Sequence, residues 1–176
     1  MFFFSYARSA LFLIFFILSI TPIYSEEISS VRTKFRLLTP NDKITVEAFD
    51  DPKIEGITCY LSRAKKGGAA SIIGFQEDSA DASISCRQMG VIKIKQTFKQ
   101  GEVVFKKSTS LVFKTMQVVR MFDAKRKAII YLVYSNRIIE GSPKNAVTVV
   151  PIQDWNGIKA DMKIMLPDKE TDKKPK

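Results

Sequence analysis

The chain has 176 residues, 45% of them hydrophobic and 26% charged, with a net charge of +10. That is a globular composition, long enough for one domain that needs no metal to hold it together. Histidine is absent and only two cysteines occur, which excludes Ser-His-Asp and Cys-His catalysis, imidazole zinc sites and four-thiolate zinc sites.

Met1 to Ser25 reads as a secretory signal peptide. Arg8 is its positive region, Ala10 to Ile20 is apolar except for Ser19, and Thr21-Pro22 breaks the run. Cleavage is expected after Ser25, ahead of Glu26-Glu27. The competing reading is an uncleaved anchor, but a spanning helix needs about 20 apolar residues. No cysteine adjoins the cut, which argues against a lipidated N-terminus. No second long apolar stretch follows, so no transmembrane segment is expected after cleavage. The expected compartment is the periplasm of a Gram-negative cell.

From Ile28 the pattern has period two. Lys43 to Phe49 alternates and predicts a half-buried strand with Ile44, Val46 and Ala48 on one face. Asp50-Asp51-Pro52 closes it as a turn. Ile57 to Leu61 is the next strand, with Ile57, Cys59 and Leu61 on one face. Residues 69–82 are ambiguous between a short helix and an irregular excursion. Ser83 to Met89 resumes a strand with Ile84 and Cys86 together. Gly101 to Lys107 predicts a strand with Val103 and Phe105 pointing one way. Met116 to Phe122 and Ala128 to Tyr134 flank Asp123 to Lys127 as a hairpin with a basic tip. Ile129 to Tyr134 is apolar on both faces, which predicts a central strand covered on both sides. Gly141-Ser142-Pro143 is a turn and Ala146 to Ile152 a last strand. The domains are then a signal peptide (1–25), one β-rich domain (26–155) and a polar, largely disordered tail (156–176). The fold class is mainly β: an antiparallel sheet or sandwich of about eight short strands, with α+β as the alternative if residues 69–82 form a helix.

An even cysteine count in an exported chain argues for a Cys59–Cys86 disulfide, whose expected job is to tie down the Gly-rich loop from Arg63 to Ala82. Free buried thiols and a redox pair are the alternatives, but a redox pair favours Cys-x-x-Cys spacing.

Ten basic residues lie between Lys93 and Lys127, opposed by Glu102 and Asp123. Lys106, Lys107, Lys125, Arg126 and Lys127 are the candidate anion-binding residues, with an anionic ligand or acidic protein as partner. The competing reading is that edge-strand lysines prevent aggregation. Aromatic residues are not interleaved as single-strand nucleic-acid binders need, so no specific nucleic-acid binding is expected. Glu77-Asp78-Ser79-Ala80-Asp81 is acidic but lacks a calcium-loop pattern. No metal, cofactor or catalytic set is expected.

Several blocks resemble the CreA family of bacterial exported proteins. They include Val46 to Pro52, Thr58-Cys59-Tyr60 with Ser62 to Lys65, Glu77 to Asp81, Ile84-Ser85-Cys86, Gly101 to Lys107, Ser110 to Lys114, Gln117 to Arg120, Phe122 to Arg126 and Glu140 to Ala146. The resemblance spans roughly residues 27 to 153, and the chain beyond Trp155 departs from the pattern. It implies an association with a two-component system and catabolite regulation, no established catalytic activity, and a cysteine pair at Cys59 and Cys86. A fungal repressor of the same name is a zinc-finger protein, which a histidine-free chain cannot build. The resulting expectation is a non-catalytic periplasmic binding or regulatory protein. The alternatives are a hydrolase using Asp50, Asp51, Glu77, Asp78 and Asp81 or a Ser-Lys pair drawn from Ser62, Ser85 or Ser108, and a peripheral protein that meets anionic lipid through its basic face.

Overall fold

The computed structural model describes residues 25–35, 37–69, 82–108, 114–137 and 144–162. Two antiparallel meanders result. The first is β1 (Glu26–Lys34), β2 (Asp42–Asp50), β3 (Ile54–Lys65) and β4 (Ala82–Ile94). The second is β5 (Glu102–Ser108), β6 (Lys114–Asp123), β7 (Ala128–Arg137) and β8 (Asn145–Pro151). The mainly β sandwich is as expected, and no helix of appreciable length occurs among the described residues. The ambiguous residues 70–81, the acidic run within them, residues 1–24 and the turn at 141–143 lie outside the described residues.

The sheets face each other across Ile54, Ile57, Leu61 and Ile92 on one side and Val104, Val118, Ile129 and Val133 on the other, all buried. Two contacts set their offset. Phe49 of β2 stacks on Phe105 of β5, ring centroids 4.6 Å apart. At the far side, the Cys86 amide of β4 donates to Thr148 Oγ1 of β8 at 3.2 Å. With β2 over β5 and β4 beside β8, the sandwich closes along β4–β8. β1 overhangs the opposite margin, and every residue in it is exposed.

Cys59 and Cys86 are direct partners in the β3–β4 ladder and form a disulfide, Cα atoms 3.9 Å apart. The ladder itself reaches Arg63 opposite Ala82, so pairing already draws the loop ends together. The bridge is therefore a staple inside the core, and the job of tying down the loop is shared with the strand pairing.

Three sequence expectations are revised. On β2 the buried residues are Thr45, Glu47 and Phe49, while Ile44, Val46 and Ala48 turn outward. The inward position of Phe49 fixes that register, because the period is two and one residue cannot face the core without its alternates. On β5 a register shift between Val103 and Phe105 places Val104 and Phe105 both in the core and leaves Val103 exposed. Such a bulge breaks simple alternation. Third, residues 156–162 are ordered. Asp161 donates its amide to Ile92 O and accepts from Ile94 N, at 2.9 and 3.0 Å, and Ala160 and Met162 pack against the core. Contacts with the core therefore continue past Trp155 to Met162. β7 is central in its sheet, with Ile129, Tyr131 and Val133 buried, but its outer face (Ile130, Leu132, Tyr134) is only half-covered.

Candidate functional site

The inward face of β2 carries charge toward the overhanging margin. Arg32 of β1, Lys43 of β2 and Lys65 of β3 occupy successive paired positions, forming one cross-strand row of cations. Paired positions share a face, and like charges directly opposite repel. Two carboxylates offset part of that repulsion. Glu27 accepts from Lys43 at 2.8 Å and Lys65 at 3.0 Å. Glu47 accepts from Arg63 at 3.0 Å and from Lys107 of β5 at 2.6 Å, and lies 3.3 Å from Lys65. Four cations, Lys43, Arg63, Lys65 and Lys107, surround two carboxylates, and Arg32 adds a fifth positive charge on the exposed margin.

Burial differs sharply within this group. The Glu47 side chain is 2% exposed, as Arg63 nearly is, whereas Lys43, Lys65 and Lys107 keep one side in water. Burial pushes the Glu47 carboxyl up, but hydrogen bonds from Lys107 and Arg63 and their charges outweigh it and hold it at about 2. Glu27 is lowered by its bonds to Lys43 and Lys65. Both acids are therefore ionised at neutral pH, and among the described residues the cations of this group outnumber its acids. An excess of cations that are partly solvated and face an open margin suits an anion.

A second buried network stands at the other end of the sandwich. Asp51 terminates β2, and its Oδ1 accepts the amides of Lys53 (2.8 Å) and Ile54 (3.0 Å), which shapes the β2–β3 turn. The same carboxylate is bonded by Arg120 Nη1 and, through Oδ2, by Tyr131 Oη at 2.7 Å. Arg120 also bonds Glu102 at 3.1 Å and stacks over Phe98, 4.0 Å from the ring centroid. Glu102 in turn holds Lys53. Burial drives the Tyr131 phenol upward, reinforced by the Asp51 carboxylate, so it stays a donor. The network's Asp51, Arg120 and Tyr131 centre is buried, Lys53 and Glu102 at its edge are partly exposed, and the charges of Asp51 and Glu102 balance those of Arg120 and Lys53. It locks the two sheets together rather than offering a binding surface.

The structure separates the basic residues read from the sequence. Lys107 points inward onto Glu47. Lys106 is exposed on the opposite face, beside Gln117 of β6. Lys125, Arg126 and Lys127 form the exposed β6–β7 turn, and Arg126 is tied to Asp123 at 2.7 Å. From Gln117 to Asp123 is six strand positions, so that turn lies about 20 Å from Lys106. Of the five, Lys107 alone joins the cluster. Among the acids, Asp50 bonds Thr58 on the exposed side and Asp51 is buried, while Ser62 and Ser85 face outward on β3 and β4. Neither the row residues Arg32, Lys43 and Lys65 with Glu27, nor Glu47, Arg63 and Arg120, stood out as site residues in the sequence. The signal was present: Arg63 continues the Ile57, Cys59, Leu61 alternation, and Arg120 sits between Val118 and Phe122 in the same way.

Among the described residues no group of three or more histidine, cysteine or acidic side chains could hold a metal, and no helix is long and apolar enough to cross a membrane. A family model described as CreA protein matches residues 28–155. Protein CreA of Escherichia coli strain K12 is 55% identical over 136 residues, covering 75% of this chain and 87% of that protein. Protein CreA of Escherichia coli O157:H7 matches to the same extent. No solved structure matches the chain.

Proposed function

The chain belongs to the CreA family, and on that footing we propose that it is an exported, non-catalytic binding protein of the cell envelope whose ligand is an anion held at the Arg32–Lys43–Lys65 row. The carrying observation is the row itself. Three cations at directly paired positions on three strands repel one another, and the acids that answer them are shared, Glu27 between Lys43 and Lys65 and Glu47 among Arg63, Lys65 and Lys107. Export is supported by the apolar N-terminus of the sequence and by the Cys59–Cys86 disulfide, which persists in oxidising compartments. A role in catabolite regulation is the corresponding proposal at the level of the cell.

The non-catalytic reading rests on how the acids of the site and of the β2–β3 turn are occupied. Glu47 and Glu27 are committed to cations, Asp51 is enclosed by four donors, and Asp50 bonds Thr58. A carboxylate free to move a proton near neutral pH is what a hydrolase would require.

Calorimetric titration with inorganic phosphate and small dicarboxylates tests the site. The expected result is binding that Arg32→Glu weakens at least tenfold. Arg32 is exposed on β1, so its reversal leaves the buried pairs in place. Binding unchanged in that variant would remove the row from the ligand's path.

A further inference from the structure

The most exposed large apolar side chains of the described residues lie together. Phe35, Leu37 and Leu38, in the connection from β1 to β2, are 75%, 83% and 90% exposed. Turns ordinarily carry small and polar residues, and large apolar groups grouped in water mark an interaction site. The base of this tip is clamped. Gly68 donates its amide to Pro40 O at 2.9 Å, and Gly67 donates to Asp42 Oδ1 at 2.7 Å. Gly67 approaches so closely that a Cβ there would sit 1.8 Å from Pro40 O, so only glycine permits the contact. The row of Arg32, Lys43 and Lys65 stands a few residues behind the tip on the same end of the sheet.

We infer that this end of the protein docks on an anionic lipid surface, with Phe35, Leu37 and Leu38 entering the headgroup–acyl boundary and the Arg32–Lys43–Lys65 row holding lipid phosphates. The inference rests on the proposed anion site and specifies its ligand as a lipid headgroup. Two magnitudes favour a bilayer over a protein partner. Three side chains on a tip offer roughly 500 Å², well under the ~800 Å² each partner buries in a stable protein interface. In a membrane, by contrast, each apolar side chain buried multiplies affinity by about tenfold or more, and each cation near an anionic leaflet by about fivefold. An exposed apolar connection with a basic flank therefore gains most from lipid.

The test is co-sedimentation of the purified protein, its N-terminus first read by intact mass, with vesicles of phosphatidylcholine containing a minority of phosphatidylglycerol. Expected are binding that requires the anionic lipid and weakens with salt, and a loss of about 100-fold for Leu37→Ser/Leu38→Ser. That variant should keep phosphate binding in solution, which shows that it is folded. Vesicle binding that survives the double substitution overturns the inference, including the case in which a retained apolar N-terminus does the inserting. Phosphate binding without vesicle binding overturns lipid docking and leaves the anion site standing; loss of both overturns both. A change of oligomeric mass in the variant, with vesicle binding intact, makes the tip a protein interface and also overturns it.

Discussion

Tyr131, at the centre of the second sheet, donates its hydroxyl to Asp51 at the end of β2 in the first, at 2.7 Å and fully buried. The residues are 80 positions apart in sequence, so this bond forms only when the sheets dock. Arg120 completes the unit from the neighbouring strand, directly paired with Tyr131. Tyr131→Phe removes one donor and is expected to cost about 1–2 kcal/mol. Asp51→Asn removes the buried carboxylate from Arg120, leaves that cation with the partly exposed Glu102 alone, and is expected to cost about 3–5 kcal/mol. Denaturant titration of both variants and the double variant should show non-additive losses, since the residues share one network. Additive losses would mean the two act separately.

Reducing the disulfide should destabilise the fold without dissolving it. A closed loop of 27 residues corresponds to about 3.5 kcal/mol in the chain-entropy picture. The strand pairing that already flanks Cys59 and Cys86 limits the freedom the bridge removes, so the loss is expected to be about 2–3 kcal/mol. Urea unfolding with and without reductant measures it. A midpoint indifferent to reductant would show that the pairing alone suffices.

Glu47 predicts an acid limb in the stability curve. Its carboxyl titrates at about 2 in the folded protein against an ordinary value of 4.5. A depressed folded value means the stabilisation is present above pH 4.5 and is lost as pH falls toward 2. Because Lys65 and Lys107 are partly solvated, its size is on the order of 2 kcal/mol. Glu47→Gln should flatten that limb while lowering stability at neutral pH, where Arg63 would lose its buried partner. Unfolding followed from pH 7 to pH 2 for both proteins separates them, and an unchanged limb in the variant would assign it to other acids.

The strands were legible in the sequence because period-two alternation is written locally. The Met116–Phe122 and Ala128–Tyr134 hairpin and the shared face of Ile57, Cys59 and Leu61 came through for that reason. The inward face of β2 did not. Ile44, Val46 and Ala48 are the more apolar set, and the choice against them depends on Phe49 meeting Phe105, a contact between sheets. The same holds for the site. Glu47 and Lys107 are 60 positions apart, and a run of lysines does not reveal which of them turns inward. Lys106 and Lys107 are neighbours in sequence and lie on opposite faces. The bulge at β5 turns Val103 out of the core and leaves Lys107 on the face of Phe105.

The anion site itself is tested most directly by the melting temperature of the purified protein as phosphate replaces chloride at constant ionic strength. A ligand that binds only the folded state at about 100 times its dissociation constant adds about 2.7 kcal/mol, which for a domain of this size is a rise of several degrees. We expect that rise in the native protein and in Lys125→Glu/Lys127→Glu, and its absence in Arg32→Glu/Lys43→Gln. No rise in the native protein, or a rise that survives the loss of Arg32 and Lys43 and disappears with Lys125 and Lys127, would contradict the proposed anion site and return the basic turn to candidacy.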